Sequence, residues 1–156
     1  MPRKGAAPRR APTPDSVFGS QLVSRFIGQL LRGGKRSVAE RIFYLALEEI
    51  AAKKGGDPLA VVEQALNRVM PVLEAKPRRV GGHTYQVPFE VGGARKLALG
   101  LRWIIQSAQS RPGRSMQSKL AAEIMDAAAG QGASVKKREE SHKMAEANRA
   151  FAHYRW

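Results

Sequence analysis

Cysteine is absent from this 156-residue chain. That excludes disulfides and cysteine-based zinc sites, and it fits a reducing compartment. Long apolar runs are missing too: no stretch approaches the roughly 20 residues needed to span a bilayer. The N-terminus lacks the apolar core of a signal peptide, so nothing points to export. Acidic side chains are scarce, 13 against 27 Lys and Arg, which leaves a formal charge of +14. Like charges repel in the compact state, so this excess adds nothing to folding. It points to a polyanionic partner, nucleic acid first and an anionic membrane surface second. From Arg95 through Arg114 no acidic residue occurs at all.

The signs of an enzyme are equally sparse. His83, His142 and His153 form no spaced metal pattern. Glu139-Glu140 lies beside Lys136, Lys137 and Arg138, which reads as charge pairing on a wet helix face. Gly33-Gly34-Lys35-Arg36-Ser37 resembles a phosphate loop only superficially, since the preceding strand and the spaced first glycine are missing. Exposed amides there could hold one nucleic-acid phosphate, or the segment could be an ordinary helix–helix turn. No cofactor, metal or small-molecule substrate is expected.

What is present is mostly helical punctuation. Met1 to Pro14 is basic and proline-rich and reads as a disordered arm carrying Arg3, Lys4, Arg9 and Arg10. Residues 15–156 read as one folded domain. Leu22, Val23, Phe26, Ile27, Leu30 and Leu31 mark a first helix over Ser20–Leu31, stopped by Gly33-Gly34. Ser37 and Glu40 suggest a capping box opening a second helix, which runs to about Lys54. Asp57-Pro58 restarts the chain into a third, ending before Pro71.

The period then changes to two. Tyr85, Val87, Phe89 and Val91 alternate with Thr84, Gln86, Pro88 and Glu90, and Val72–Lys76 is the expected antiparallel partner. Gly81-Gly82 supply the turn. Residues 72–91 thus form a hairpin arm tipped by Arg78 and Arg79. Three more helices follow: one marked by Leu97, Leu101, Ile104 and Ile105, one capped by Ser115, and one capped by Ser134 and reaching Asn148. The expected class is mainly α: a six-helix single domain with a protruding two-stranded β-hairpin between the third and fourth helices.

The cations are grouped at loops, helix starts and chain ends. The groups are the N-terminal arm; Lys35 and Arg36; Lys76, Arg78 and Arg79; Arg95, Lys96 and Arg102; Arg111 and Arg114; and Lys136, Lys137, Arg138 and Lys143, with Arg149 and Arg155 beyond. A solvated surface would mix the two signs more evenly. Grouping at several separate places suggests a grip on a folded nucleic acid. Aromatic residues interleaved near the C-terminus, Phe151, Tyr154 and Trp156, suit stacking on unpaired bases, which favours RNA; packing against the domain is the alternative for Phe151 and Trp156. For Trp103 packing is preferred.

These strings are also familiar. GKRSVAERI at Gly34–Ile42, RRVGGHTYQVP at Arg78–Pro88, LRWII at Leu101–Ile105 and VKKREESHKMAEANRAFAHYRW at Val135–Trp156 resemble the bacterial small-subunit ribosomal protein seven family. The resemblance runs in order from about Ser20 to the end. It implies a non-catalytic, ribosome-bound cytoplasmic protein that binds small-subunit ribosomal RNA at the 3′ major domain and nucleates assembly of the head. It implies neighbours in exit-site transfer RNA, messenger RNA and ribosomal proteins nine and eleven, with no membrane. Arg78, Arg79, Val80, Gly81, His142, Lys143 and Arg149 match the parts that would lie near transfer and messenger RNA; Lys35, Arg36, Arg95 and Arg102 would face ribosomal RNA. Two other readings compete: a free architectural nucleic-acid binder, and a nucleic-acid enzyme, which would need a carboxylate cluster that the scattered acids do not supply.

Overall fold

A computed structural model describes residue 5 and residues 12–154. The chain divides into two compact units, 1–40 and 41–156. In the first, Asp15 is buried and its carboxylate accepts the amides of Val17 and Phe18, both at 3.1 Å, tying a turn ahead of α1. Helix α1, Gln21–Leu30, buries Val23, Phe26 and Ile27, three of the six residues of the stripe read from the sequence; Leu22 and Leu30 are half-buried, and Leu31, past the helix end, is exposed. Helix α2, Arg36–Lys54, begins in this unit and continues into the second. No capping box opens it. Glu40 instead takes the Arg36 guanidinium at 2.8 Å, because the helix starts one residue before Ser37 and places Arg36 and Glu40 four apart on one face.

The second unit holds the rest: α3 Pro58–Val69, β1 Leu73–Val80, β2 His83–Glu90, α4 Gly93–Ser110, α5 Met116–Ala129, α6 Ala133–Ala147 and a 3-10 helix over Arg149–Tyr154. Asp57 caps α3 as expected, accepting the Leu59 amide at 2.9 Å with Pro58 at the first helical position. Ser115 caps α5, and Gly130 closes it with φ of 84°, a conformation open to glycine. Helix α3 packs on α5 and α4, and α6 lies against β1, α4 and α5. Their shared core includes Val62, Leu66, Val69, Leu101, Ile104, Leu120 and Ile124, each at most 3% exposed. The apolar spacing that marked these helices is therefore the spacing of one buried face.

Two further boundaries differ from the sequence reading. The first strand does not end at Lys76 but runs to Val80, paired in unbroken register from Leu73↔Glu90 to Val80↔His83. Gly81 and Gly82, with φ of 56° and 89°, form the whole turn. Positive φ at both positions matches the twist of the flanking strands, so pairing continues right up to the glycines. A two-stranded ribbon is all edge, which accommodates Pro77 and Pro88. Second, Ser134 does not cap α6. It lies inside the first turn, fully buried, and both its amide and its hydroxyl donate to Glu123 of α5, at 3.0 and 2.6 Å. The cap is supplied by another helix, which no local pattern reveals. The short 3-10 helix after α6 was also not expected.

Candidate nucleic-acid interface

The register separates the two arginines of the arm. Arg78 pairs with Tyr85 and Arg79 with Thr84. Neighbours along a strand point to opposite faces. Arg78 therefore shares a face with Lys76, Tyr85 and Phe89, and its guanidinium stands 5.6 Å from the Phe89 ring centre, with Lys76 Nζ at 5.5 Å. Arg79 shares the other face with Pro77, Thr84 and Gln86, all exposed. The two cations sit in the last paired rungs below the turn rather than in the turn, which consists of Gly81 and Gly82, with Val80 as the final paired residue.

The base of the ribbon is an electrostatic junction. Glu74 is buried, yet Arg95 Nε lies 2.8 Å from both of its oxygens and Lys76 Nζ 3.0 Å from one. Burial alone would raise the Glu74 pKa; hydrogen bonds from Lys76 and Arg95 outweigh it and hold the carboxyl below its ordinary value. Arg95 and Lys76 thus have structural partners, although both keep about half of their side-chain surface exposed, 55% and 46%.

The remaining cations fall into two kinds. Arg111 is drawn inward: its guanidinium binds Glu123 at 2.6 Å and also Asp126. Burial alone would lower its pKa, and these hydrogen bonds raise it. Arg138 is half-buried and donates to the Arg68 carbonyl at 2.5 Å, in the last turn of α3, where a cation complements the helix dipole. It also lies 3.5 Å from Glu139, the one adjacent pair in the run read as a wet, charge-paired face that forms an ion pair. Lys137 reaches Gln106 at 3.4 Å, and Lys96 is half-buried. By contrast, Lys35, Arg79, Arg102, Arg114, Lys136, Lys143 and Arg149 are exposed and make no ion pair among the described residues. Arg3, Lys4, Arg9 and Arg10, with Arg155 and Trp156, lie outside the described residues.

Two sequence expectations change character. The amides of Lys35 and Arg36 are already used within their own loop, bonding Arg32 and Gly34 carbonyls at 3.3 and 3.0 Å. The turn thus uses two of its amides internally and presents the exposed Lys35 side chain. Phe151 and Tyr154 do not stand free to stack on bases: their ring centres lie 5.0 and 5.4 Å from that of Tyr85. Trp103 is half-buried beside Leu99 and Met144, as packing requires.

His142 carries a specific chemical state. Its Nε2 accepts the Val72 amide at 3.0 Å, so that nitrogen bears no proton. Burial, and then the charge of Arg138, push its pKa below the ordinary histidine value. The unfolded chain therefore binds the proton first as pH falls. The increment of stability is complete above about pH 6.5 and is lost as pH drops through the folded pKa. In an NMR titration, the His142 midpoint is expected to fall below the ordinary histidine value, with the Val72 amide resonance moving in step. A His142 midpoint above the ordinary histidine value would remove the assignment.

No group of three or more His, Asp or Glu side chains suited to a metal ion occurs among the described residues, and no helix there is long and apolar enough to cross a membrane. What the residues do assemble is a basic, mainly helical framework: buried ion pairs fix it, and the exposed cations face outward.

The chain belongs to the family described as ribosomal protein S7p/S5e, whose model matches residues 2–149. It is thus a ribosomal protein, a structural constituent and not an enzyme. Its relatives include the small ribosomal subunit protein uS7 of Thermoanaerobacter pseudethanolicus, 59% identical, and that of Desulforudis audaxviator, 57% identical, each over the full length of both chains.

Proposed function

We propose that this protein binds small-subunit ribosomal RNA at the 3′ major domain, nucleates assembly of the subunit head there, and presents its hairpin and last helix to exit-site transfer RNA and messenger RNA. Ribosomal proteins nine and eleven are its expected protein neighbours, and the bacterial cytoplasm is where it works. The names of its relatives support the place in the small subunit.

One observation carries the RNA reading. Exposed cations that make no ion pair among the described residues recur on separate elements, at Lys35, Arg79, Arg102, Arg114, Lys136, Lys143 and Arg149, while Arg111 and Arg138 are consumed by the fold. A surface of this kind neutralises phosphates at several points and holds distant RNA segments in one geometry. Arg79, at the end of the ribbon, and Lys143 with Arg149, on the last helical segments, serve the transfer-RNA side; His142 serves it indirectly, through its bond to the ribbon base. Val80 and Gly81 let the backbone come close to its target.

The test is a competition at matched salt between the isolated 3′ major domain RNA and duplex DNA of equal phosphate content. A preference for the RNA of about a thousandfold or more is expected, the usual scale separating specific from non-specific binding. Equal affinity would instead make this a general polyanion binder.

A further inference from the structure

We propose that the C-terminal 3-10 helix is a strut that fixes the direction of the hairpin, with Tyr85 as the positioning residue. Besides the buried Val87 in mid-strand, the ribbon is held at two levels. At its base the Val72 amide donates to His142, the Ser141 hydroxyl donates to the Leu73 carbonyl at 3.2 Å, and Glu74 is clamped by Arg95. Further out, Tyr85 meets Phe151 and Tyr154, only three residues beyond the turn glycine Gly82.

The spacing of the two rings follows from the helix that carries them. A 3-10 helix has three residues per turn, so Phe151 and Tyr154 fall on one side. Their planes lie within 14° of each other and their centres 6.5 Å apart, leaving a surface that Tyr85 closes from the strand. Tyr85 is half-buried although its neighbours Thr84 and Gln86 are exposed. A two-stranded ribbon on its own is only marginally stable. Its outer half therefore takes its direction from whatever it touches, and in this chain that is the segment just before the C-terminus. The strut stands on this geometry alone; its consequence for RNA rests on the function proposed above, because the direction of the ribbon sets where Arg79 reaches.

The absence of cysteine makes the test clean. Thr84→Cys on the ribbon and Gln64→Cys on α3, both exposed, supply the only two sites for spin labels. The full-length protein is expected to give one narrow label–label distance. Tyr85→Leu, and separately Phe151→Ala with Tyr154→Ala, are expected to lose that narrow component while the thermal melt stays in place, since none of the three rings belongs to the fully buried core. Tyr85→Phe keeps the ring and is expected to retain it. A distribution that stays narrow in the Phe151/Tyr154 variant would overturn the strut. A broadened distribution with unchanged exit-site transfer-RNA retention in reconstituted subunits would keep the strut and remove the RNA role of the ribbon.

Discussion

Glu123→Ala is expected to destabilise the protein by about 3–5 kcal/mol, the largest loss from any single polar substitution in the second unit. Glu123 is 0% exposed. One oxygen accepts two donors from Ser134, and the other takes the Arg111 guanidinium. Alanine leaves a buried amide and a buried hydroxyl with no acceptor, at roughly 1–3 kcal/mol for each. Arg111 suffers less, because Asp126 and solvent remain within its reach. Loss of a negative charge at the start of α6 adds to the cost, since helix N-termini favour anions. Urea unfolding should show the midpoint falling with an unchanged slope. Arg111→Met should cost less, and the double variant less than the sum of the two, because the groups act as one unit. A loss below about 1 kcal/mol for Glu123→Ala would show that water replaces the carboxylate, contrary to the burial.

The second large effect concerns binding. Lys35, Arg102, Arg114 and Lys136 changed together to glutamine should leave the fold intact, since all four are exposed and make no ion pair among the described residues. If each contacts a phosphate, each releases a counterion on binding, and the slope of log affinity against log salt should fall by about 0.7–0.9 per residue. Near 0.15 M salt that amounts to roughly two to three orders of magnitude in affinity for the 3′ major domain RNA. The same substitutions at Arg111 and Arg138 should act differently, lowering stability and leaving the slope nearly unchanged. An unaltered slope in the fourfold variant would place the RNA contacts elsewhere.

Much of the fold was legible because its signals are local. Asp57-Pro58, Ser115 and the turn glycines announce themselves within a few residues, and the apolar stripes of α3, α4 and α5 are faces of single helices. The resemblance to a family, carried by long strings, agrees with the family shown. What escaped depends on partners distant in sequence. Ser134 has the composition of a cap but serves as a donor to Glu123, eleven residues away across a helix junction. Arg111 and Arg138 look like the other cations until Glu123, Asp126 and the Arg68 carbonyl are brought beside them. A charge cluster on paper does not say which members the framework needs. Likewise Phe151 and Tyr154 have the look of a base-stacking pair, and only the folded strand supplies Tyr85 to claim them.

The two-glycine turn also constrains how this arm can change length over evolutionary time. With no spare loop to absorb an insertion, one additional residue in either strand would invert every side chain beyond it, exchanging the Arg78 and Arg79 faces. An arm that keeps both faces and its unbulged pairing therefore grows or shrinks by two residues on each strand at once, a step of about 7 Å.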